Sequence, residues 1–338
     1  MKRDGRSCAV CQREVYEVSI RPVAGPGCED GEFIMRALIL AAAIAAPCVA
    51  VGADGLGAIT ILEGPALIYR ASGRVHAAEG LRLAAGDIVH TAAGTFAQLE
   101  LADHSVAQLG PATRVMLNAS AGRQKSERWI HVIDGWLKLN STKRDATAGP
   151  GFDLRAAAFE IPSTPTALVL RSTPAQLELF VEAGDLRVAE RQPGGRNPPL
   201  AVSVKSGEFY QRKPPTRGVV TGAVAPVFVS DMPRAFRDSL PLRLDRFRDS
   251  QVQPRDAPDF AYADVAAWLQ AESAVRRPLM QRWRGKAREP AFRAALVANL
   301  AAHPEWDPIL FPEKYKPKVP VAARPASAAA RAPSATAP

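Results

Sequence analysis

Beyond position 53 this sequence of 338 residues contains no cysteine: Cys8, Cys11, Cys28 and Cys48 all precede it. The remaining chain therefore has no disulfide, no cysteine nucleophile and no thiolate metal ligand. Aromatic residues are few, at 7%. Histidine is scarcer still. His76, His90, His104, His131 and His303 show no HxxxH or HExxH spacing, so a zinc-hydrolase signature is missing. No GxSxG nucleophile elbow occurs either. Nor is there a long apolar run. The longest uncharged stretch is the seventeen residues of Ala37–Ala53, short of the roughly 20 that a spanning helix needs. A polytopic membrane protein is excluded.

That stretch, ALILAAAIAAPCVAVGA, is informative for what surrounds it. Met35-Arg36 precedes it and Val51-Gly52-Ala53 ends it, giving the basic start, apolar core and small-x-small cleavage site of an export signal. Residues 35–53 are therefore expected to be a cleavable signal peptide, with an uncleaved inner-membrane anchor as the alternative. Residues 1–34 then read as an erroneous N-terminal extension, with translation starting at Met35. Cys8 and Cys11 form a CxxC there, but no histidine accompanies them for a four-ligand zinc site, and the βαβ context of a redox motif is missing. Pro47 stands before Cys48 where a lipoprotein signal has a small residue, so lipidation is not expected.

The net charge is +9, from 43 basic and 34 acidic residues. Residues 1–53 hold six of each, so the whole excess belongs to the remainder. A basic exported chain favours anionic envelope groups, and nucleic acid is excluded by compartment.

Residues 56 to about 215 alternate apolar and polar side chains at period two. Short strands are expected at Ala58–Glu63, Ala66–Arg70, Asp87–Thr91, Ala97–Leu101, Ser105–Leu109 and Thr113–Leu117. In the fourth, Ala97, Leu99 and Leu101 face one way, Gln98 and Glu100 the other. Asp103-His104-Ser105 is a turn in which His104 takes a positive φ. Trp129–Ile133 and Trp136–Leu139 read as strands joined by a hairpin turn at Asp134-Gly135. Phe159–Ile161, Ala167–Arg171, Gln176–Val181, Leu186–Ala189 and Ala201–Val204 follow. Ala85-Gly86-Asp87, Ala183-Gly184-Asp185 and Ser206-Gly207-Glu208 read as tight turns, because single scattered acids do not make a calcium loop. The fold class is mainly β, a sandwich or β-roll, followed by a small α-helical C-terminal module.

The β domain is expected at 54–215, with a loop insertion at 190–200. A Pro-rich connector follows at 216–260, where Asp231 is expected to cap a short helix. A helical module at 261–316 comes next, with helices at Tyr262–Ala271, Arg277–Arg284 and Pro290–Ala302. Phe292, Leu296, Val297 and Leu300 give the last an apolar face. Residues 317–338 hold five Pro and nine Ala and read as a disordered tail.

Three runs carry a resemblance: Gly57–Gly64, Gly80–Thr91 and Phe96–Ser105 with Leu109-Gly110. Together they give the pattern G-L-x-x-G-D-x-I/V-x-T, then A-x-L-x-L-x-D-x-S. This resembles the FecR-like periplasmic domain family, and the chain is similar to its stand-alone, exported, proteobacterial type. The resemblance covers about 57–140, with a looser echo to about 210. It marks Gly64, Gly80, Gly86, Asp87, Thr91, Asp103, Ser105 and Gly110 as motif residues of structural role. Type members are transmembrane regulators that signal inward from an outer-membrane transporter to a sigma factor. Residues 1–34 show no amphipathic helical bundle able to grip one. The resemblance thus implies a fold and a periplasmic location, and the residues themselves point to no cofactor, metal or catalytic group. The expected function is a non-enzymatic binding or scaffold protein that contacts an envelope protein or an anionic polymer, peptidoglycan or lipopolysaccharide. The alternative is a FecR-type sensor held in the inner membrane, the only case in which the membrane is a partner.

One cluster stands apart as a binding candidate. Arg276, Arg277, Arg282, Arg284, Lys286 and Arg288 lie within thirteen residues beside Trp283. It reads either as a solvated helix face with Trp283 in the core or as an anionic docking patch, where guanidinium forks hold phosphate or carboxylate. For sugar hydrolysis by paired carboxylates, only Asp134 and Glu305, beside Trp306, stand out at all.

Overall fold

Short alternating strands have one apolar face each, and such faces are buried by stacking one sheet on another. The computed structural model describes residues 55–316 apart from 122–125, 142–149, 158, 191–199 and 251. The expected signal peptide at 35–53, the expected upstream extension at 1–34, most of the insertion expected at 190–200 and the expected tail at 317–338 lie outside the described residues. Eighteen strands occur among those described. The first half holds β1 (Gly57–Glu63), β2 (Ala66–Arg70), β3 (Gly73–His76), β4 (Arg82–Leu83), β5 (Ile88–Thr91), β6 (Phe96–Leu101), β7 (Val106–Leu109), β8 (Arg114–Ala121) and β9 (Ser126–Ser141). The second holds β10 (Phe152–Ala156), β11 (Phe159–Ile161), β12 (Thr166–Ser172), β13 (Leu177–Ala183), β14 (Leu186–Glu190), β15 (Leu200–Val204), β16 (Phe209–Arg212), β17 (Val219–Thr221) and β18 (Arg255–Asp256). Each strand expected from the alternation is present. The short strands β3, β4, β17 and β18, together with β10 and β16, were not signalled by it.

Two sheets result. One runs β4-β1-β6-β7-β9-β12-β13-β16-β17. The other runs β18-β3-β2-β5-β8-β9-β10-β11-β14-β15. All neighbours are antiparallel except β9 and β10. A single core of Leu, Ile, Val and Phe side chains from both sheets fills the space between them, with Ile59, Leu99, Leu137 and Leu168 on one side and Ile68, Val89, Val132 and Leu154 on the other. Each fully buried aliphatic side chain contributes about 1.5–3 kcal/mol.

The strand β9 belongs to both sheets, which corrects the hairpin expected at Asp134-Gly135. Its first part pairs with β8 and its last part with β7 and β12. A register shift between Arg114 and Val115 marks a bulge just before the switch. Gly135, at φ 99°, then turns the chain from one sheet to the other. A Cβ there would lie 2.4 Å from the Thr113 Cα, so only glycine fits. The turn glycines Gly86, Gly184 and Gly207 do have positive φ, and so does His104, at 64°.

The outer faces are also covered. Residues 211–260 form a strap across the first sheet, with α1 (Pro226–Asp231) and a 3-10 turn at Arg234–Arg237. Phe228 and Phe236 pack there against Ile61, Phe96, Trp136, Val169 and Phe209. All six residues of β6 are consequently buried, Gln98 and Glu100 included. Asp231 caps nothing: it ends α1 and pairs with Arg171 at 3.0 Å. The strap then passes Gly80, where Phe247 lies close, and adds β18 beside β3.

The helices cover the second sheet. These are α2 (Tyr262–Leu269), α3 (Ser273–Arg282), α4 (Pro290–Ala298) and α5 (Asp307–Leu310). In α2, Asp264 accepts from the Ala261 N–H at 2.8 Å, closing the first turn. Trp268, Trp283, Phe260 and Leu279 pack on Tyr69, Ile88 and Met116. Several expected details differ: α2 stops at Leu269 rather than Ala271, and α3 spans Ser273–Arg282 rather than Arg277–Arg284. The helix from Pro290 stops at Ala298 rather than Ala302, and Val297 is exposed, while Phe292 and Leu296 are buried in the core and Leu300 packs against it. No helix among the described residues is long and apolar enough to cross a membrane.

Candidate functional site

The predicted cationic cluster is divided by the fold. Arg276 lies on α3 and forms a two-pronged pair with Glu305, at 2.9 and 2.8 Å, while also donating to the Ala271 carbonyl. Arg277 is exposed and 3.7 Å from the same carboxylate. Arg282 donates to the carbonyl of Gly86 and so ties the helical layer to the sandwich. Its burial lowers its pKa, against the raising effect of Asp87. Lys286 is buried between Asp259 and Glu289 and lies 4.7 Å from the Phe260 ring centre. Three of the six are thus internal fasteners.

Arg284 and Arg288 are exposed and form no ion pair among the described residues. They flank a 3-10 turn, Arg284–Arg288, that starts directly after Trp283. Trp283 is fully buried and donates its indole N–H to the Ala71 carbonyl at 3.2 Å, so the turn has a fixed origin. Pro290 opens α4 at once, and the chain returns through α5. This brings Pro308, Ile309 and Pro312 opposite Arg284, Arg288 and Arg293, around a groove of about 590 Å³. No carboxylate lines it. Arg293 was missed by sequence reasoning because it lies outside the thirteen-residue window. Its signal was available in the short Glu289-Pro290 step, which starts a new helix two residues after Arg288 and puts Arg293 in its first turn. Its guanidinium donates to the Leu310 carbonyl and lies 5.8 Å from the Phe311 ring centre.

The motif residues lie in turns and sheet junctions. Asp87 accepts both prongs of Arg70, at 2.9 and 2.6 Å, and the Ala84 N–H. Asp103 accepts from the Ser105 backbone and hydroxyl across the His104 turn. Thr91 donates to the Gly110 carbonyl and accepts from the Thr113 N–H. A Cβ on Gly110 would crowd Trp136 and Pro233, and one on Gly64 would crowd Thr95. Gly80 faces Phe247 of the strap, and Gly86 faces Arg282.

The carboxylates weighed for catalysis are both held in ion pairs. Asp134 receives the Arg114 fork, and Glu305 receives Arg276, which with its N–H bonds keeps its pKa below the usual range. His90 is half-buried under the helices, where it accepts the Trp268 indole N–H at 2.8 Å. Burial, with Arg114 and Arg74, lowers its pKa to about 3. His303 faces the Tyr262 hydroxyl at 3.0 Å, and burial lowers its pKa too. His131 lies 4.0 Å from Glu272, and His76 is on β3. Trp306 is a core residue of the helical layer. Among the described residues no group of three His, Cys, Asp or Glu side chains could hold a metal ion.

The family model described as FecR protein matches residues 87–187. That span begins at the Gly86-Asp87 turn and ends in β14, so the 57–86 motif run lies outside it. No curated protein matches the chain. Two crystal structures of a candidate anti-sigma factor from Parabacteroides distasonis ATCC 8503 are similar at 14% identity, with TM-scores of 0.33 and 0.32. Each alignment covers 40% of this chain, which spans 59% of those chains. On the family model alone, residues 87–187, from β5 into β14, form a FecR-like region.

Proposed function

We propose that this chain is a non-enzymatic, exported FecR-like binding protein of the bacterial periplasm, which holds an envelope protein or an anionic envelope polymer. The observation that carries this reading is the groove with Arg284, Arg288 and Arg293 on its walls. Arg276, Arg282 and Lys286 are committed to internal partners, whereas Arg284 and Arg288 form no ion pair among the described residues and Arg293 meets only a carbonyl and a ring. The export signal read at 35–53 supports the compartment. Co-sedimentation with purified peptidoglycan sacculi and with lipopolysaccharide vesicles tests it. Retention that falls with added salt is the expected result, and a chain that stays in the supernatant with both overturns it.

A second reading is favoured by the FecR match itself: a regulatory sensor held in the inner membrane. Fractionation with a mass measurement of the N-terminus separates the two. A soluble chain starting at Asp54 supports the binding protein. A membrane-bound chain that keeps residues 1–53 supports the sensor.

A further inference from the structure

We propose that the groove walled by Arg284, Arg288 and Arg293 is a binding site for a phosphomonoester, an inference that rests on the binding reading and names its ligand. The first argument is charge. Three guanidiniums share one concavity without a lining carboxylate, and like charges so placed repel. Of the acids that flank lining residues in sequence, Glu313 is exposed and does not line the groove, and the other two are already engaged. Glu289 takes Lys286 at 2.9 Å, and Asp307 takes Lys314 at 3.0 Å and the Tyr315 hydroxyl. An anion from outside is the partner that this arrangement lacks.

The second argument is valence. A carboxylate brings one charge and two oxygens, so it balances only one of the three guanidiniums. A phosphomonoester brings about −1.5 to −2 charges and three strong acceptor oxygens near pH 7, enough for three guanidiniums. Arg293 is held in place by the Leu310 carbonyl and Phe311, so less side-chain freedom is lost on binding. The third argument is shape. A groove of about 590 Å³ exceeds what a bare phosphate fills, and Pro308, Ile309 and Pro312 supply an apolar wall for the body that bears it. The ligand is thus a phosphomonoester on a sugar-sized or lipid body.

Calorimetric titration of the full chain with glucose 1-phosphate, and flotation with phosphatidylcholine vesicles containing phosphatidic acid, distinguish the soluble source from the lipid one. Vesicles with phosphatidylglycerol, a diester, are the valence control. Binding to either monoester probe is expected, weakened about tenfold or more in the double variant R284Q/R288Q. Both side chains are exposed and unpaired, so its urea unfolding should match the parent's. R277Q, an exposed arginine that does not line the groove, should change affinity by less than about twofold. Three results overturn the proposal: no monoester binding, acetate competing as well as phosphate, or R277Q weakening binding as much as the double variant. A chain that binds the monoester yet ignores sacculi and lipopolysaccharide leaves this site standing and removes the envelope-polymer reading.

Discussion

The two outer faces of the sandwich are covered by different chemistry. Over the second sheet aromatic contacts predominate, with side-chain N–H groups of Arg282, Trp283 and Trp268 as the polar additions. Tyr69 meets Phe260 at 5.4 Å between ring centres, Phe260 meets Trp283 at 5.5 Å, and His90 stacks near Trp268 at 6.3 Å. Over the first sheet, polar side chains reach the strap's backbone among the phenylalanines. Glu100 accepts from the Arg243 and Leu244 N–H groups at 2.7 and 3.0 Å. Gln98 donates to the Pro241 carbonyl at 3.1 Å, and Lys138 to the Phe236 carbonyl at 2.7 Å. The difference follows from the covering element. A helix satisfies most of its own backbone and can offer a sheet apolar side chains alone. A Pro-spaced strap has open N–H and C=O groups, and the sheet beneath must supply their partners.

Removing one aromatic from the helical side should break the comparison most severely. Trp268 is fully buried, and its N–H satisfies His90. Trp268→Ala should cost about 3–5 kcal/mol by urea unfolding. It should expose the helices to hydrogen exchange while the strap amides over the first sheet keep their protection. Equal loss of protection on both faces would mean that the two coverings are not independent.

Acid should act on the same face. The unfolded chain protonates His90 below about pH 6.5, while the folded chain does so only near pH 3. The unfolded state therefore binds more protons between those values, and stability falls as the pH falls through that window. The slope is at most about 1.4 kcal/mol per pH unit, about 3 kcal/mol by pH 4. The stability contribution is present in full above 6.5 and is exhausted near 3, where the slope vanishes again. His303, also lowered by burial, acts with the same sign. Unfolding midpoints at pH 7, 5 and 4 test it against His90→Gln, which should flatten much of the slope. A slope unchanged in that variant would assign the acid response elsewhere.

The sandwich was legible because period-two alternation survives wherever one face of a strand meets a core, as in β6, β12 and β14. The site was half legible. The arginines at 276–288 drew attention as a run, but their fates depend on partners far along the chain, such as Gly86 for Arg282 and Glu305 for Arg276. Arg293 enters the groove only because α5 folds back. β9 was misread because Asp-Gly is a common hairpin pair, whereas here Thr113 crowds the glycine and the strand runs on through it. The second face of β6 was invisible for a related reason. Gln98 and Glu100 look like the solvent side of an amphipathic strand, and only the strap's open backbone explains why polar residues are buried there.

That last point has its own test, the smallest effect of the three. Gln keeps the shape of Glu100 but offers one acceptor and a donor in place of two acceptors. Either the Arg243 or the Leu244 N–H then faces an N–H₂ group in a buried setting. Glu100→Gln should cost about 1–3 kcal/mol, the penalty for one unsatisfied buried donor. The loss should be local, because the strap is also held by Phe228 and Phe236. Amide exchange at Arg243 and Leu244 should accelerate, while the Trp268 indole N–H signal stays where it was. If those amides keep full protection, the strap is seated by its aromatic side chains alone. Polar supply from the sheet would then be incidental, and the contrast between the two faces would reduce to which side chains happen to lie beneath each covering.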